Sequence, residues 1–199
     1  MNAPSEKKTA LKKRKMRIVD AALACFLENG YHQTGVRDIA RKAGISLGNL
    51  YNHFSGKEAV LAEIAALDRQ ELQPFLDMLS DHSKPDETLM RFVSAYAGYA
   101  AHPENVVLTV ELVSESVHNA DIAALFNENW AALVGTVSDL LRKGAADGTF
   151  REFADPHEIA ELIMDTLEGY ALRSYFANGA NEKTALDTLQ DFIRHAIRK

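Results

Sequence analysis

The sequence predicts an all-α protein of about nine helices, and three observations lead there. Apolar residues recur at three- and four-residue spacing along almost all of the 199 positions. No run alternates convincingly with period two. Gly, Pro, Ser and Asp fall where the apolar segments begin and end.

Met1 to Glu6 reads as a loose end, and KKTALKKRK, residues 7–15, as a charge run that serves either as a solvated arm or as a helix start. From Met16 a helix shows one apolar face, Ile18, Ala22, Cys25 and Phe26, and stops at Gly30. Cys25 on that face reads as a core thiol rather than a nucleophile. Val36, Ile39, Ala40 and Ala43 repeat the pattern over barely two turns, with Thr34 as cap and Gly44 as stop. The next helix starts after Ser46, whose hydroxyl can accept an orphan backbone N–H, and runs to Phe54 before SGKE breaks it. From Lys57 the helical period resumes, with Pro74 as a kink or boundary.

The remaining segments follow the same rules. DETLMRFVSAYAGYAA ends at His102-Pro103, ENVVLTVELVSESVHN follows, and the segment from DIAALF closes on Gly148. The eighth opens on Asp155-Pro156, a cap with Pro at the first helical position, and stops at Gly179. NEKTALDTLQDFIRHAIRK is the last.

A hydrophobic fraction of 47% supports a real core, and a single cysteine excludes an internal disulfide framework. No apolar run approaches the roughly 18 residues of a membrane span, so a cytoplasmic protein without a membrane partner is expected. The net charge of −6 hides an asymmetry: residues 1–58 hold 11 Lys and Arg against 5 Asp and Glu, residues 59–199 hold 11 against 23. A basic module, 1–58 with its arm 1–15, is thus joined to an acidic body, 59–199. The first part suits a polyanion.

Two short helices joined by a tight Gly-containing turn are the helix-turn-helix pattern, which sets its second helix in the DNA major groove. At about 100° per residue, Leu50 and Phe54 point to one side of that helix and Gly48, Asn49 and Asn52 to the other, flanked by Tyr51 and His53. The outward face is polar but uncharged. Asn can bond adenine edges bidentately, while Tyr, His and Lys can hold phosphates at the rim. Leu47, about 40° from the core direction, is either half-buried or in contact with a thymine methyl. Gly48 costs the helix about 1 kcal/mol and lets it approach closely. The structural alternatives are that Tyr51 packs on the first helix and that His53 fills space.

TGVRDIARKAGISLGNLYNHFSGKEAVL, Thr34 to Leu61, preceded by FLENGY, resembles the DNA-binding domain of the TetR family of transcriptional regulators. The resemblance implies a homodimer that binds a palindromic operator, usually represses, and senses a small molecule, as yet unknown, with its C-terminal helices. It implies that Leu47, Gly48, Asn49 and Asn52 face bases, that Tyr51, His53 and Lys57 hold phosphates, and that Thr34 and Arg37 on the preceding helix support them or add contacts; the capping Ser46 is counted with the DNA-binding residues. Gly35 and Gly56 depart from the family, where hydroxyl residues are common.

In the body, Ile159, Leu162, Ile163, Thr166, Leu167 and Tyr170 form one apolar face, and Leu186, Leu189, Phe192, Ile193 and Ile197 another. In the family these two helices pair across the dimer axis, so Ile159, Ile163, Leu167, Tyr170, Leu189, Phe192 and Ile193 are the expected interface; intrachain packing is the alternative. Phe92, Tyr96, Tyr99, Leu108, Glu111, Glu115, Phe126, Trp130 and Met164 are candidates for a ligand pocket, where Glu111 or Glu115 favours a cation. The alternative is that the aromatics are core and the carboxylates solvated. A di-iron enzyme needs two Glu-x-x-His pairs; only Glu115 to His118 is present, and neither catalytic residues, a metal nor a cofactor is expected. A helical adaptor for another protein explains the acidic body but leaves the basic module without a task.

Overall fold

The computed structural model describes the backbone of residues 3–177 and 182–199, with side chains at 11–177 and 184–199. The expected stop at Gly179 and the side chains of Lys7 and Lys8 lie outside the described residues. Among those described there are nine helices and no strand: α1 Ala3–Asn29, α2 Val36–Lys42, α3 Leu47–Tyr51, α4 Lys57–Leu79, α5 Pro85–Ala100, α6 Pro103–Ser116, α7 Ala120–Ala146, α8 Pro156–Phe176 and α9 Glu182–Ile197.

Two helices run further than expected, for local reasons. α1 begins at Ala3, so of its two readings the charge run 7–15 takes the helix start, and the expected loose end is helical from Ala3 on, because Ala, Leu, Lys, Arg and Glu are good helix formers and the one Pro falls in the first turn, where no intrahelical donor is needed. α4 continues through Pro74 to Leu79, losing one backbone bond without ending there. At α8 the local signals were sufficient: the Asp155 carboxylate accepts from the His157 N–H at 2.8 Å, with Pro156 next to the cap.

The chain divides into two compact units, Met1–Asp68 with Val107–Phe126, and Arg69–Val106 with Asn127–Lys199. The first therefore holds the early turns of α4 and parts of α6 and α7 beside α1, α2 and α3. Its core is built on Ile18, Ala22, Phe26, Ile39, Leu50, Phe54 and Leu61, joined by Leu112 and Ile122.

In the second unit, α5 packs on α8 and α9. Its core takes Leu89, Phe92, Val93 and Tyr96 from α5, Leu133, Val137 and Leu140 from α7, and the inner faces of α8 and α9. Ile163, Leu167, Leu189 and Ile193, expected at a dimer interface, are buried in this intrachain core. Ile159 and Tyr170 are half-buried against it. Phe192 remains exposed, at 64%, together with Leu162 at 60%, Tyr175 and Phe176.

Candidate nucleic-acid interface

The chain enters α2 through Gly35, whose extended backbone donates its N–H to the Asp38 carboxylate at 3.0 Å. Thr34 is therefore not the cap. It is buried, 3% exposed, and its Oγ lies 2.8 Å from the Gly30 carbonyl and 3.1 Å from that of Cys25. A hydroxyl has one proton to donate, and here it serves the joint between α1 and α2.

α2 ends in a paired-bond turn. The Ile45 N–H donates to the Ala40 carbonyl at 3.0 Å and the Gly44 N–H to that of Arg41 at 3.1 Å, with Gly44 at φ +65°. This is the left-handed termination for which Gly carries no Cβ penalty. The Arg17 guanidinium donates to the Ala43 carbonyl at 2.6 Å and ties the turn to α1.

Ser46 then caps α3, its Oγ accepting from the Asn49 N–H at 3.2 Å. The helix is shorter than expected, Leu47–Tyr51, because both His53 and Phe54 donate to the Leu50 carbonyl and tighten the last turn. Leu50 is fully buried and Phe54 nearly so, each burial being worth about 1.5–3 kcal/mol. These two anchor the helix from behind, and Leu47 is half-buried beside them.

In front, Gly48, Tyr51 and Asn52 are exposed, and Asn49 and His53 are half-buried. At 52% exposure Tyr51 is no core residue. Among the described residues, none of the side chains of Arg37, Asn49, Tyr51, Asn52 and His53 makes a hydrogen bond or ion pair within the chain. A Cβ added at Gly48 meets nothing within 4 Å. The molecule itself leaves this surface vacant.

Lys57, expected at a phosphate, has an internal task. Its Nζ donates to the Tyr31 carbonyl at 2.7 Å and lies 3.9 Å from the centre of the Tyr31 ring. Burial lowers its pKa, against the pull of Glu58 and Glu115.

The expected pocket residues fall in different units. In the first, Leu108 and Phe126 pack on its core. There Glu111 accepts from the Tyr31 N–H at 2.8 Å, and buried Glu115 lies 2.8 Å from His32 Nε2, an ion-pair distance without the alignment of a hydrogen bond. Glu111 is engaged by the Tyr31 N–H and Glu115 is buried, so neither is a freely solvated acid. In the second unit, Phe92 and Tyr96 stack at 5.5 Å, Tyr99 lies 6.0 Å from Tyr96, Met164 is buried and Trp130 is half-buried.

Sequence reasoning missed Phe75, set edge-on to Phe92 and Tyr96, and the carboxylates of Glu71 and Glu168, which accept from the hydroxyls of Tyr99 and Tyr96. The i, i+4 spacing of Glu71 and Phe75 on α4 was the available signal.

Comparison with known proteins agrees with this geometry. Residues 18–64 match the model of bacterial regulatory proteins of the tetR family, and residues 85–198 that of the BetI-type transcriptional repressor, C-terminal. The fatty acid metabolism regulator protein of Bacillus subtilis is 26% identical over 157 residues, 77% of this chain and 79% of its own. A transcriptional regulator from Saccharomonospora viridis, solved with choline, shares the fold at a TM-score of 0.81 and 23% identity, over 94% of this chain and 99% of its own. So does FadR from Bacillus subtilis, solved with stearoyl-CoA, at 0.74 and 24%, over 87% and 96%. The two family models leave out little beyond the first turns of α1 and the segment around Pro74, and the protein is accordingly a DNA-binding transcriptional regulator of the TetR family.

Proposed function

We propose that two copies of this chain bind a palindromic operator, each laying α3 in the major groove, and repress until a small-molecule effector is taken up by the second unit. The observation that carries this is the vacant polar face of α3, held from behind by Leu50 and Phe54. Asn49 and Asn52 offer donor and acceptor pairs for base edges, Leu47 an apolar contact, and Gly48 a close approach. Arg37, Tyr51 and His53 stand at the rim for phosphates. A two-fold operator needs two such helices about 34 Å apart, and the exposed apolar residues of α8 and α9, Leu162, Tyr175, Phe176 and Phe192, supply a surface for the second copy. Such a protein works in the cytoplasm; among the described residues no helix is long and apolar enough to cross a membrane.

The structural neighbours hold ligands as different as choline and stearoyl-CoA on one fold, so the effector class follows from residues rather than from architecture. The aromatic group Phe75, Phe92, Tyr96 and Tyr99, with Glu71 and Glu168 at two of its hydroxyls, supports a cation.

Selection of bound duplexes from a random pool tests the main reading. Enrichment of a palindrome with half-sites about one helical turn apart is expected. Recovery of unenriched sequence would overturn it. For the effector, thermal shift by tetraalkylammonium salts is expected, and stabilisation by carboxylic acids or acyl-CoA alone would reverse the assignment.

A further inference from the structure

We infer that α6 carries a contact between copies of this chain, a short seam of Val110, Val113 and Val117 that meets the same stretch of a second copy. It uses neither the exposed residues of α8 and α9 nor the polar face of α3, and rests on no reading of either.

A surface helix ordinarily turns its apolar residues to the core and its charges to water. In the first unit α6 breaks this rule on both counts. Its carboxylates turn inward: Glu111 accepts from the Tyr31 N–H at 2.8 Å, and Glu115 is 8% exposed. Its valines turn outward, with Val110 exposed at 46%, Val113 at 61% and Val117 at 73%. Val117 lies one residue past the end of α6, but its N–H donates to the Val113 carbonyl at 3.3 Å and so keeps the helical path. The other exposed large apolar side chains described in this unit, Leu11 and Tyr51, sit singly on α1 and α3.

The spacing of the three valines says what shape covers them. Positions i, i+3 and i+7 form the narrow seam by which one helix packs on another, and β-branched residues there favour a two-stranded pairing. The flanks say which helix it is. In such a pairing the residues on either side of the seam choose the partner by charge, and here they are Thr109, Ser114 and Ser116. An acidic or basic helix finds no counterpart among them. In a two-fold contact, by contrast, residues near the axis stand opposite their own copies, where any charge would repel itself. Neutral hydroxyl flanks meet that requirement. With a net charge of −6 on every copy, an uncharged strip is also where two of them approach at least cost.

The size of the seam sets its strength. Three valines fall far short of the roughly 800 Å² per partner that a stable complex buries. The contact therefore adds to copies already held near one another, by another interface or by a shared duplex, and does not assemble free ones.

The test uses the full chain with single cysteines introduced on its surface. The natural thiol, Cys25, is 3% exposed, so the parent supplies the background. V113C places a thiol at the middle of the seam, where it meets its own copy, and D20C places one on the exposed side of α1 to report random collision. All the positions changed are exposed, and circular dichroism checks that each variant folds. Under copper phenanthroline, V113C is expected to form disulfide-linked dimer about tenfold faster than D20C, and V110K/V113C/V117K to fall back to the D20C rate. Equal rates for V113C and D20C would overturn the seam, as would a fast V113C dimer that the flanking lysines leave unchanged. A V113C thiol that a small maleimide cannot reach would show the strip covered within the chain, and would overturn it as well.

Discussion

Lys57 holds Tyr31 at two points, donating to its carbonyl at 2.7 Å while the same ammonium stands 3.9 Å from the centre of its ring. The first residue of α4 is thereby fastened to the connection between α1 and α2. Lys57→Ala is expected to lose about 1–3 kcal/mol in chemical denaturation and to keep the parent's salt slope on DNA. A shallower slope at unchanged stability would mean that the ammonium leaves Tyr31 for a phosphate.

The Tyr31 hydroxyl is buried with no hydrogen-bond partner among the described residues. Tyr31→Phe should therefore keep or raise stability at neutral pH. Burial, with the Glu58 and Glu115 carboxylates adding to it, pushes the Tyr31 pKa from 10.0 up to about 12. The folded state keeps a proton that the unfolded chain gives up, so this contribution is complete below the unfolded value and is lost as pH climbs towards the folded one. Urea melts at about pH 11 should show the parent losing on the order of 1 kcal/mol more than the Phe variant, relative to neutral pH. Equal losses would place the titration elsewhere.

Asn52 is exposed and has no bond of its own to give up. Asn52→Ala should leave the melting temperature unchanged and reduce discrimination between selected operator and random duplex by about 1–3 kcal/mol in competition binding. An unchanged ratio removes Asn52 from the base-reading set.

Gly48 separates folding from approach. Gly48→Ala adds a Cβ into open space and should stabilise the unit by up to about 1 kcal/mol. Gly48→Val should fold and yet bind operator more weakly, as its branches stand where the groove must come. If the Val variant matches the parent, close approach is not what this position provides.

On α8 the neighbours Leu162 and Ile163 should behave oppositely. Leu162→Lys, and likewise Phe192→Lys on α9, should give a folded monomer by sedimentation, because these side chains lie outside the core. Ile163→Lys should unfold the second unit, since it places a charge inside it. A folded dimer from both exposed-site variants would remove this face from the interface.

Local signals in the sequence carried the fold far. Gly44, Ser46 and the Asp155-Pro156 pair act within a few residues, and each ends or starts its helix as such residues should. Partners far along the chain were not legible. Nothing near Lys57 announces a bond to a residue 26 positions earlier, and nothing near Glu111 announces one 80 positions away. The faces of α8 and α9 show the same limit. Their periodicity declares them apolar, but only the packing of α5 decides that Ile163 and Ile193 are covered within the chain while Phe192 is not. Thr34 was misread because a capping residue and a buried clasp use the same hydroxyl.

The absence of charge on α3 has a consequence for a living cell. Whatever α3 contributes to choosing a sequence comes from hydrogen bonds and fit, neither of which exchanges ions with the medium. On the proposed reading, a rise in internal ionic strength weakens the contacts to phosphate and spares the hydrogen bonds by which α3 ranks its sites. Under osmotic shock, sites ranked by those same bonds are expected to lose occupancy together.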